Sequence, residues 1–469
     1  MGESQGGCPV EGYGSAIYWL ETAPEVPNPP LTADIKADVC VVGGGFTGLW
    51  TSYELKSADP AMKLVLIEGD EIAHGASGRN GGFAMTLLDM SLHHFVKNVG
   101  ADAAKAAHKA VAESVEAIGR VCDEREIDCD YTHGGLLVVA TNPAQQVRIE
   151  KDLEAAEELG LRDFKALTGD EAQGLVHSPT YQAGMLEEHC AVLNPAKLAR
   201  GLKRVLAEMA VEIYEGSPAT GLEEVSQGVK VSTPLGSVTA DQTVLATNAW
   251  ASRLPALSRK IVPLYTYIIL TEPLSDEQMD SIGWAGRHGI EDKRNYVHYY
   301  RLTADNRILW GGSDGVIYRD LGIKPRYDRN DAIFAKLEKT FKTTFPQLSE
   351  VGFSHRWGGP VAMTVRFIPV FGTLDGDRVH YGCGYNGHGV APSHTGGRIL
   401  SDLVLERDRG YGDLCFVNSK ELAFPKNPVS WIGAELTRKA LLKQDRAMDS
   451  GKDAGDMDPP LLRLMSKLG

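Results

Sequence analysis

Gly43-x-Gly45-x-x-Gly48 falls between a short apolar run, Asp38-Val39-Cys40-Val41-Val42, and a stretch with helical character through Lys56. This spacing suits a dinucleotide. The first glycine permits a tight turn, and the second lets the backbone approach a pyrophosphate. The third lets helix and strand pack closely, while the helix N-terminus faces the phosphates. Phe46 and Thr47 belong to the same phosphate-facing turn. Glu68 closes a second apolar run, Lys63 to Glu68, 20 residues beyond Gly48. A carboxylate there accepts hydrogen bonds from ribose hydroxyls and repels a 2′-phosphate. An ordinary glycine-rich turn would leave that acid unexplained, so the pattern predicts ADP-ribose recognition.

Two further glycine blocks narrow the choice of dinucleotide. The run from Glu68 to Gly82 contains His74, Gly75, Ser77, Gly78, Arg79, Asn80 and Gly81. Its small residues suit a backbone that passes close to a bulky cofactor; the alternative is a flexible loop. NAD-dependent dehydrogenases need no such run. The third block, Gly382 to Val390, places Gly387, His388 and Gly389 just before a helix. Backbone N–H groups and a helix N-terminus there would face an electron-rich edge, such as the N1 side of a reduced flavin.

Four motifs in order carry a family resemblance: Val-Gly-Gly-Gly-x-x-Gly, Gly-Ala-Ser-Gly-Arg-Asn-Gly-Gly, Ala-Thr-Asn-Ala at 246–249, and Gly-Tyr-Asn-Gly-His-Gly-Val. Over roughly residues 36–406 the chain resembles the D-amino-acid oxidase and glycine/sarcosine oxidase family, on its gamma-glutamylputrescine oxidoreductase-like branch. The resemblance implies an FAD-dependent enzyme that oxidises the C–N bond of an amine or amino acid. Hydride passes to flavin N5, the imine hydrolyses, and O2 is the expected acceptor. A dehydrogenase with another acceptor is the alternative, and a non-catalytic or NAD-dependent dinucleotide-binding module is a more distant one.

By position, the resemblance assigns Gly43, Gly45 and Gly48 to the pyrophosphate and Glu68 to the ribose. Ser77, Arg79, Asn80 and Gly81 would lie along the pyrophosphate and flavin. Gly387, His388, Gly389 and Val390 would face the pyrimidine edge. Sarcosine oxidases carry a flavin-linked cysteine in the stretch matching Gly358 to Thr364, which here has none. FAD is therefore expected to be non-covalent, with His74 as the alternative anchor. Their oxygen-activating lysine lies on the strand matching Arg307 to Gly312, where Trp310 takes its place. They are arginine-bearing where this chain reads Gly82-Phe83-Ala84-Met85.

Flavin amine oxidation needs a neutral amine, a positioned C–H and excluded water. Tyr265, Tyr267, Tyr296, His298, Tyr299, Tyr300 and Trp310 fall in the strand-rich segment expected to cover the flavin. Alternation places Tyr296, His298 and Tyr300 on one face, so Tyr300, Trp310 and His298 are the expected catalytic residues. The competing reading makes most of these aromatics core and His298 structural. A substrate carboxylate would need an arginine fork; Arg79, Arg294, Arg301, Arg356 and Arg366 are candidates. Losing the arginine at 82–85 favours an amine recognised by apolar and aromatic contacts. His93 and His94 are expected to point to different faces, and no metal is expected.

These residues must be positioned by a chain of 469 residues, enough for two or three domains at about 150 residues each. The α/β expectation is a Rossmann-like FAD-binding domain assembled from 36–130, 190–260 and 361–406. A mixed or antiparallel-sheet substrate domain, 131–189 and 261–360, interleaves with it. An extended leader, 1–35, and a helical tail, 407–469, flank them. Apolar residues at 43% support a sizeable core, and the net charge of −14 disfavours nucleic-acid partners. Seven cysteines form no C-x-x-C pair and read as reduced thiols. Met1 to Leu20 lacks a secretory pattern, and no apolar run spans a bilayer, so a cytoplasmic protein is expected.

Overall fold

The computed structural model describes residues 17–88, 90–374, 376–419 and 422–451. The first part of the expected leader, with Cys8, and residues 452–469 of the expected helical tail lie outside the described residues. The fold is mixed α/β, built on two eight-stranded sheets and a two-stranded ribbon.

The first sheet has the spatial order Val370–Thr373, Val379–Cys383, Ser237–Leu245, Asp34–Val42, Leu64–Ile67, Glu212–Tyr214, with Gly228–Ser232 and Gly221–Val225 as an antiparallel extension. From Val379–Cys383 to Glu212–Tyr214 every pairing is parallel. Such strands are covered on both faces and read as unbroken apolar runs; all four residues of Leu64–Ile67 are buried. Three well-separated stretches of chain therefore meet in one sheet.

Helix Phe46–Ala58 packs against Val390–Val404. The latter begins directly after Gly389, as the third glycine block implies. Pro392 occupies its first turn, where a missing N–H costs nothing. Gly397 sits within the helix because a Cβ there would lie 2.7 Å from Trp50 Cβ. Helix Ala101–Glu124 is preceded by a separate helix, Leu92–Val99, and Gly100 at φ +88° divides them.

The second sheet runs Phe353–Thr364, Ile261–Thr271, Ile308–Gly312, His298–Leu302, Gly289–Asp292, Leu136–Ala140, Ala183–Glu187, Phe164–Thr168. Its pairings are antiparallel except between Gly289–Asp292 and Leu136–Ala140. Register aligns Glu291, Tyr299, Gly311, Ile268 and Trp357 in one cross-strand row. Side chains opposite one another share a face. The neighbouring row, Ile290, Tyr300, Trp310 and Ile269, points the other way into an aromatic core. Helix Asp331–Thr344, which falls in a segment that reads as strand-rich, covers that core through Phe334, Leu337 and Phe341. Among the described residues no helix is long and apolar enough to cross a membrane.

Candidate active site

At one end of the parallel sheet, Gly43 adopts φ +114°, and a Cβ there would lie 2.6 Å from the Ala246 carbonyl oxygen. A Cβ at Gly48 would overlap the Gly43 carbonyl. Helix Phe46–Ala58 starts from Gly45, which offers no side-chain cap. The Phe46 N–H donates to Ser77 Oγ at 2.8 Å, joining the first glycine block to the second. Glu68 Oε2 accepts from the Gly44 N–H at 2.6 Å and Oε1 from the Asp70 N–H at 2.9 Å. Burial pushes the Glu68 carboxyl up, and these amide donors pull it back towards the charged form.

The second block is braced from several directions. Arg79 donates to the His74 carbonyl at 2.8 Å and pairs with Asp328 at 2.6 Å. Trp357 Nε1 donates to the Arg79 carbonyl and Trp19 Nε1 to the Asn80 carbonyl, both at 2.8 Å. Asn80 Oδ1 accepts from the Gly82 N–H at 2.7 Å. In the third block Gly387 takes φ +107° with open space beside it, and the His388 N–H donates to the Tyr385 carbonyl at 2.9 Å. Gly389 precedes helix Val390–Val404 without a side-chain cap. Two glycine-started helices and a cradle that side chains would fill fit a flavin dinucleotide.

A cavity of about 1000 Å³ opens between the antiparallel sheet and the second and third glycine blocks and is large enough for a cofactor and a small substrate. Ala76, Arg79, Asn80 and Gly81 line it from the second block, and Gly387, His388 and Val390 from the third. One face of the antiparallel sheet supplies Val262, Leu264, Thr266, Ile268, Tyr299 and Glu291. Tyr299 lies against Gly311, where a Cβ would collide with its ring, and against Gly81, where a Cβ would press on it at 3.0 Å. The glycines thus make room for an aromatic at the cavity wall.

Tyr300, Trp310 and His298 do not line this cavity. His298 and Tyr300 share a face as alternation predicts, but Tyr296 precedes the strand and does not share it. The phase is also opposite to that expected: Tyr299 faces the cavity and Tyr300 the core. Tyr300 stacks on Trp310 at 4.1 Å between centroids, and its hydroxyl meets that of Tyr181 at 2.9 Å. Trp310 Nε1 donates to Thr340 Oγ1 at 3.2 Å. His298 pairs with buried Asp292 at 2.9 Å. Tyr296 lines the cavity from just before the strand, whereas Tyr265 and Tyr267 join the core.

The arginine candidates separate in the same way. Arg301 is buried and donates to the Gly82, Leu193 and Leu302 carbonyls. Arg356 pairs with Glu338 on helix Asp331–Thr344. Arg294 reaches the wall but is paired with Asp292 and Asp449, and Arg366 also lines the cavity. His74 lies outside the wall, beside Asp70 at 3.2 Å. His93 and His94 both line it with centroids 3.9 Å apart, not on different faces. Ser91 Oγ contacts both Nδ1 atoms and folds the rings together at the start of helix Leu92–Val99. Away from the cavity, Glu116, His133 and His189, and also His108, Asp163 and Glu187, bring possible metal-ligand atoms within 4.8 Å of one another.

Glu291 had no sequence signal beyond its charge. It lies on the short strand Gly289–Asp292, lines the cavity and is 4% exposed. Burial pushes its carboxyl up, opposed by Lys293 and His388.

Comparison with known proteins agrees with this geometry. The FAD dependent oxidoreductase (DAO) family matches residues 38–403. Gamma-glutamylputrescine oxidoreductase of Escherichia coli is 34% identical over 413 residues, covering 88% of this chain and 93% of the relative. The probable oxidoreductase OrdL of Haemophilus influenzae is 32% identical, covering 81% and 85%. Glycine oxidase from Geobacillus kaustophilus shares the fold at TM-score 0.67 and 19% identity, covering 82% of this chain and 99% of that one. The family match extends through all three glycine blocks, and on that breadth the chain belongs to the DAO family of FAD-dependent oxidoreductases.

Proposed function

We propose that this protein oxidises the C–N bond of an amine or amino acid, with O2 as the preferred acceptor and another electron acceptor as the alternative. The observation that carries the reading is the cavity, bounded at once by the second and third glycine blocks and by one face of the antiparallel sheet. Similarity to gamma-glutamylputrescine oxidoreductase supports an amine substrate. When bound, FAD supplies the two-electron acceptor for the C–H beside nitrogen. Gly43, Gly45, Phe46, Thr47 and Gly48 cradle the pyrophosphate, and Glu68 accepts from the ribose. Ser77, Arg79, Asn80 and Gly81 border the cofactor on one side; Gly387, His388, Gly389 and Val390 border it on the other. The stretch Gly358 to Thr364 holds no cysteine and His74 is off the wall, which supports non-covalent attachment.

The sheet face excludes water and orients substrate through Ile268, Leu264 and Tyr299. The protein belongs on this reading in the cytoplasm. Purified protein should be yellow and should release FAD on acid precipitation. Anaerobic addition of alkylamines should bleach it, and admitting air should restore the colour. Colourless protein whose denatured extract contains no FAD would refute the reading. Flavin held in the acid pellet would refute non-covalent attachment, and colour that stays bleached in air would favour the other acceptor.

A further inference from the structure

The charges on the cavity wall are unevenly matched. Arg79 pairs with Asp328 at 2.6 Å. Arg438 makes a fork to Asp314, with both contacts at 2.7 Å. Arg294 pairs with Asp292 and Asp449. Lys293 Nζ lies 2.8 Å from Asp152 Oδ2 but 3.9 Å from Glu291 Oε1. These cations are each bound to a carboxylate of their own. Glu291 is the acid whose nearest cation is held more tightly by another residue.

Its position gives that imbalance a use. Glu291 stands directly across the strand pair from Tyr299, on the row that continues through Ile268 to Trp357 along the cavity wall. The groups that act on it electrostatically come from every side. Lys293 and Asp292 follow it in the chain, Asp152 comes from helix Pro143–Leu159, and Glu187 comes from a nearby strand. His388 comes from the third glycine block. Three of these five are carboxylates. Burial without a close cation disfavours the charged carboxylate, and a ligand cation would restore it.

We propose that Glu291 is the anionic contact for a protonated amine, so that the cavity selects alkylamines entering as cations over amino acids gripped by their carboxylate. The inference rests on the cavity being the substrate site. Glu291 accepts hydrogen bonds from the entering ammonium and takes up the proton that must leave to give the neutral amine before oxidation, while Tyr299 and Ile268 on the same row flank the carbon chain. Charge-assisted bonds in a water-poor site are the strong ones, and losing one lowers affinity roughly ten- to a hundredfold.

The test uses FAD-loaded protein and a ligand that cannot be oxidised: an alkylamine with no hydrogen on the carbon beside nitrogen. The alcohol of the same skeleton is its neutral isostere. Calorimetry should show the wild type binding the amine at least tenfold more tightly than the alcohol. Glu291→Gln should lose that preference while keeping its FAD content and its alcohol affinity. Glu291→Asp should keep part of it. Equal wild-type affinities for amine and alcohol would overturn the proposal whether or not the variants fold. An unchanged preference in a folded Glu291→Gln protein would overturn it equally. Either result in protein that holds FAD and is bleached by amines would leave the proposed oxidation standing. Absence of FAD would instead remove the function on which the inference rests.

Discussion

The hydroxyls of Thr47 and Tyr385 share a buried hydrogen bond of 2.8 Å across 338 positions of sequence. One group belongs to the first turn after the first glycine block, the other to the third block. The bond fixes the distance between the two helix starts that flank the proposed cofactor site. Removing one partner strands the other hydroxyl away from water, at a cost of about 1–3 kcal/mol. Thr47→Val should therefore destabilise the protein by that amount in urea unfolding, as should Tyr385→Phe. The double variant should be less destabilised than the sum, because neither hydroxyl is then orphaned. Additive losses would show that the bond does not form.

Retention of FAD should depend on the first glycine block in a graded way. Gly48→Ala drives a Cβ into the Gly43 carbonyl and should abolish flavin binding, read as absorbance per mole of purified protein. Glu68→Arg removes an acceptor of two backbone N–H groups. The loss of charged hydrogen bonds should weaken FAD affinity by roughly ten- to a hundredfold. Unchanged flavin content in both variants would contradict the proposed cradle.

The two faces of the strand His298–Leu302 should respond differently to substitution. Tyr299 lines the cavity, whereas Tyr300 and Trp310 pack in the aromatic core. Tyr299→Ala should raise KM for amines several-fold with little change in melting temperature. Trp310→Ala should cost about 3–5 kcal/mol of stability and leave KM close to the wild-type value in whatever protein folds. A reversal of this pattern would return Trp310 to the reaction centre.

Stability should fall on acidification through a histidine remote from the cavity. Burial pulls the His380 imidazole from its ordinary value of 6.5 down to about 4. Thr373 and Gln242 hold its two nitrogens. Above pH 6.5 neither the folded nor the unfolded chain binds the proton, so this group has no effect. Between 6.5 and 4 the unfolded chain takes it up and the native protein does not. Native stability is lost across that window, by on the order of 3 kcal/mol in full. His380→Gln should show a shallower decline from pH 7.5 to 4.5 in urea unfolding. Identical slopes would show that His380 titrates normally.

The parts of the site legible in sequence are those whose chemistry is local. The turn at Gly43 to Gly48 needs glycine for reasons contained within it and the adjoining strand. The acid at Glu68 lies one strand away. The phase of the strand His298–Leu302 was not legible, because both of its faces carry tyrosine. Only the partner layers decide which face is core: helix Asp331–Thr344 on one side and the cavity on the other. Glu291 was hidden for a related reason. The segment Gly289-Ile-Glu-Asp-Lys-Arg looks like exposed loop, yet Asp152, His298 and Arg294 supply the partners that let its neighbours be buried. The start of helix Val390–Val404 was legible from the glycines before it, whereas its internal Gly397 answers to the close passage of Trp50, which sequence does not show.

The parallel strand order carries a consequence for how the protein is made. Strand Asp34–Val42 is flanked by Leu64–Ile67 and Ser237–Leu245, and the latter pairs in turn with Val379–Cys383. A nascent chain emerging from the ribosome exposes the Ser237–Leu245 edge until more than a hundred further residues have been synthesised. Through that interval the edge offers unpaired backbone groups to other chains. The antiparallel cover from Gly228–Ser232 pairs it only along Ser237 to Ala240, leaving Thr243 to Leu245 open. Synthesis of residues 246–378 is therefore the interval in which this edge most needs protection from other chains.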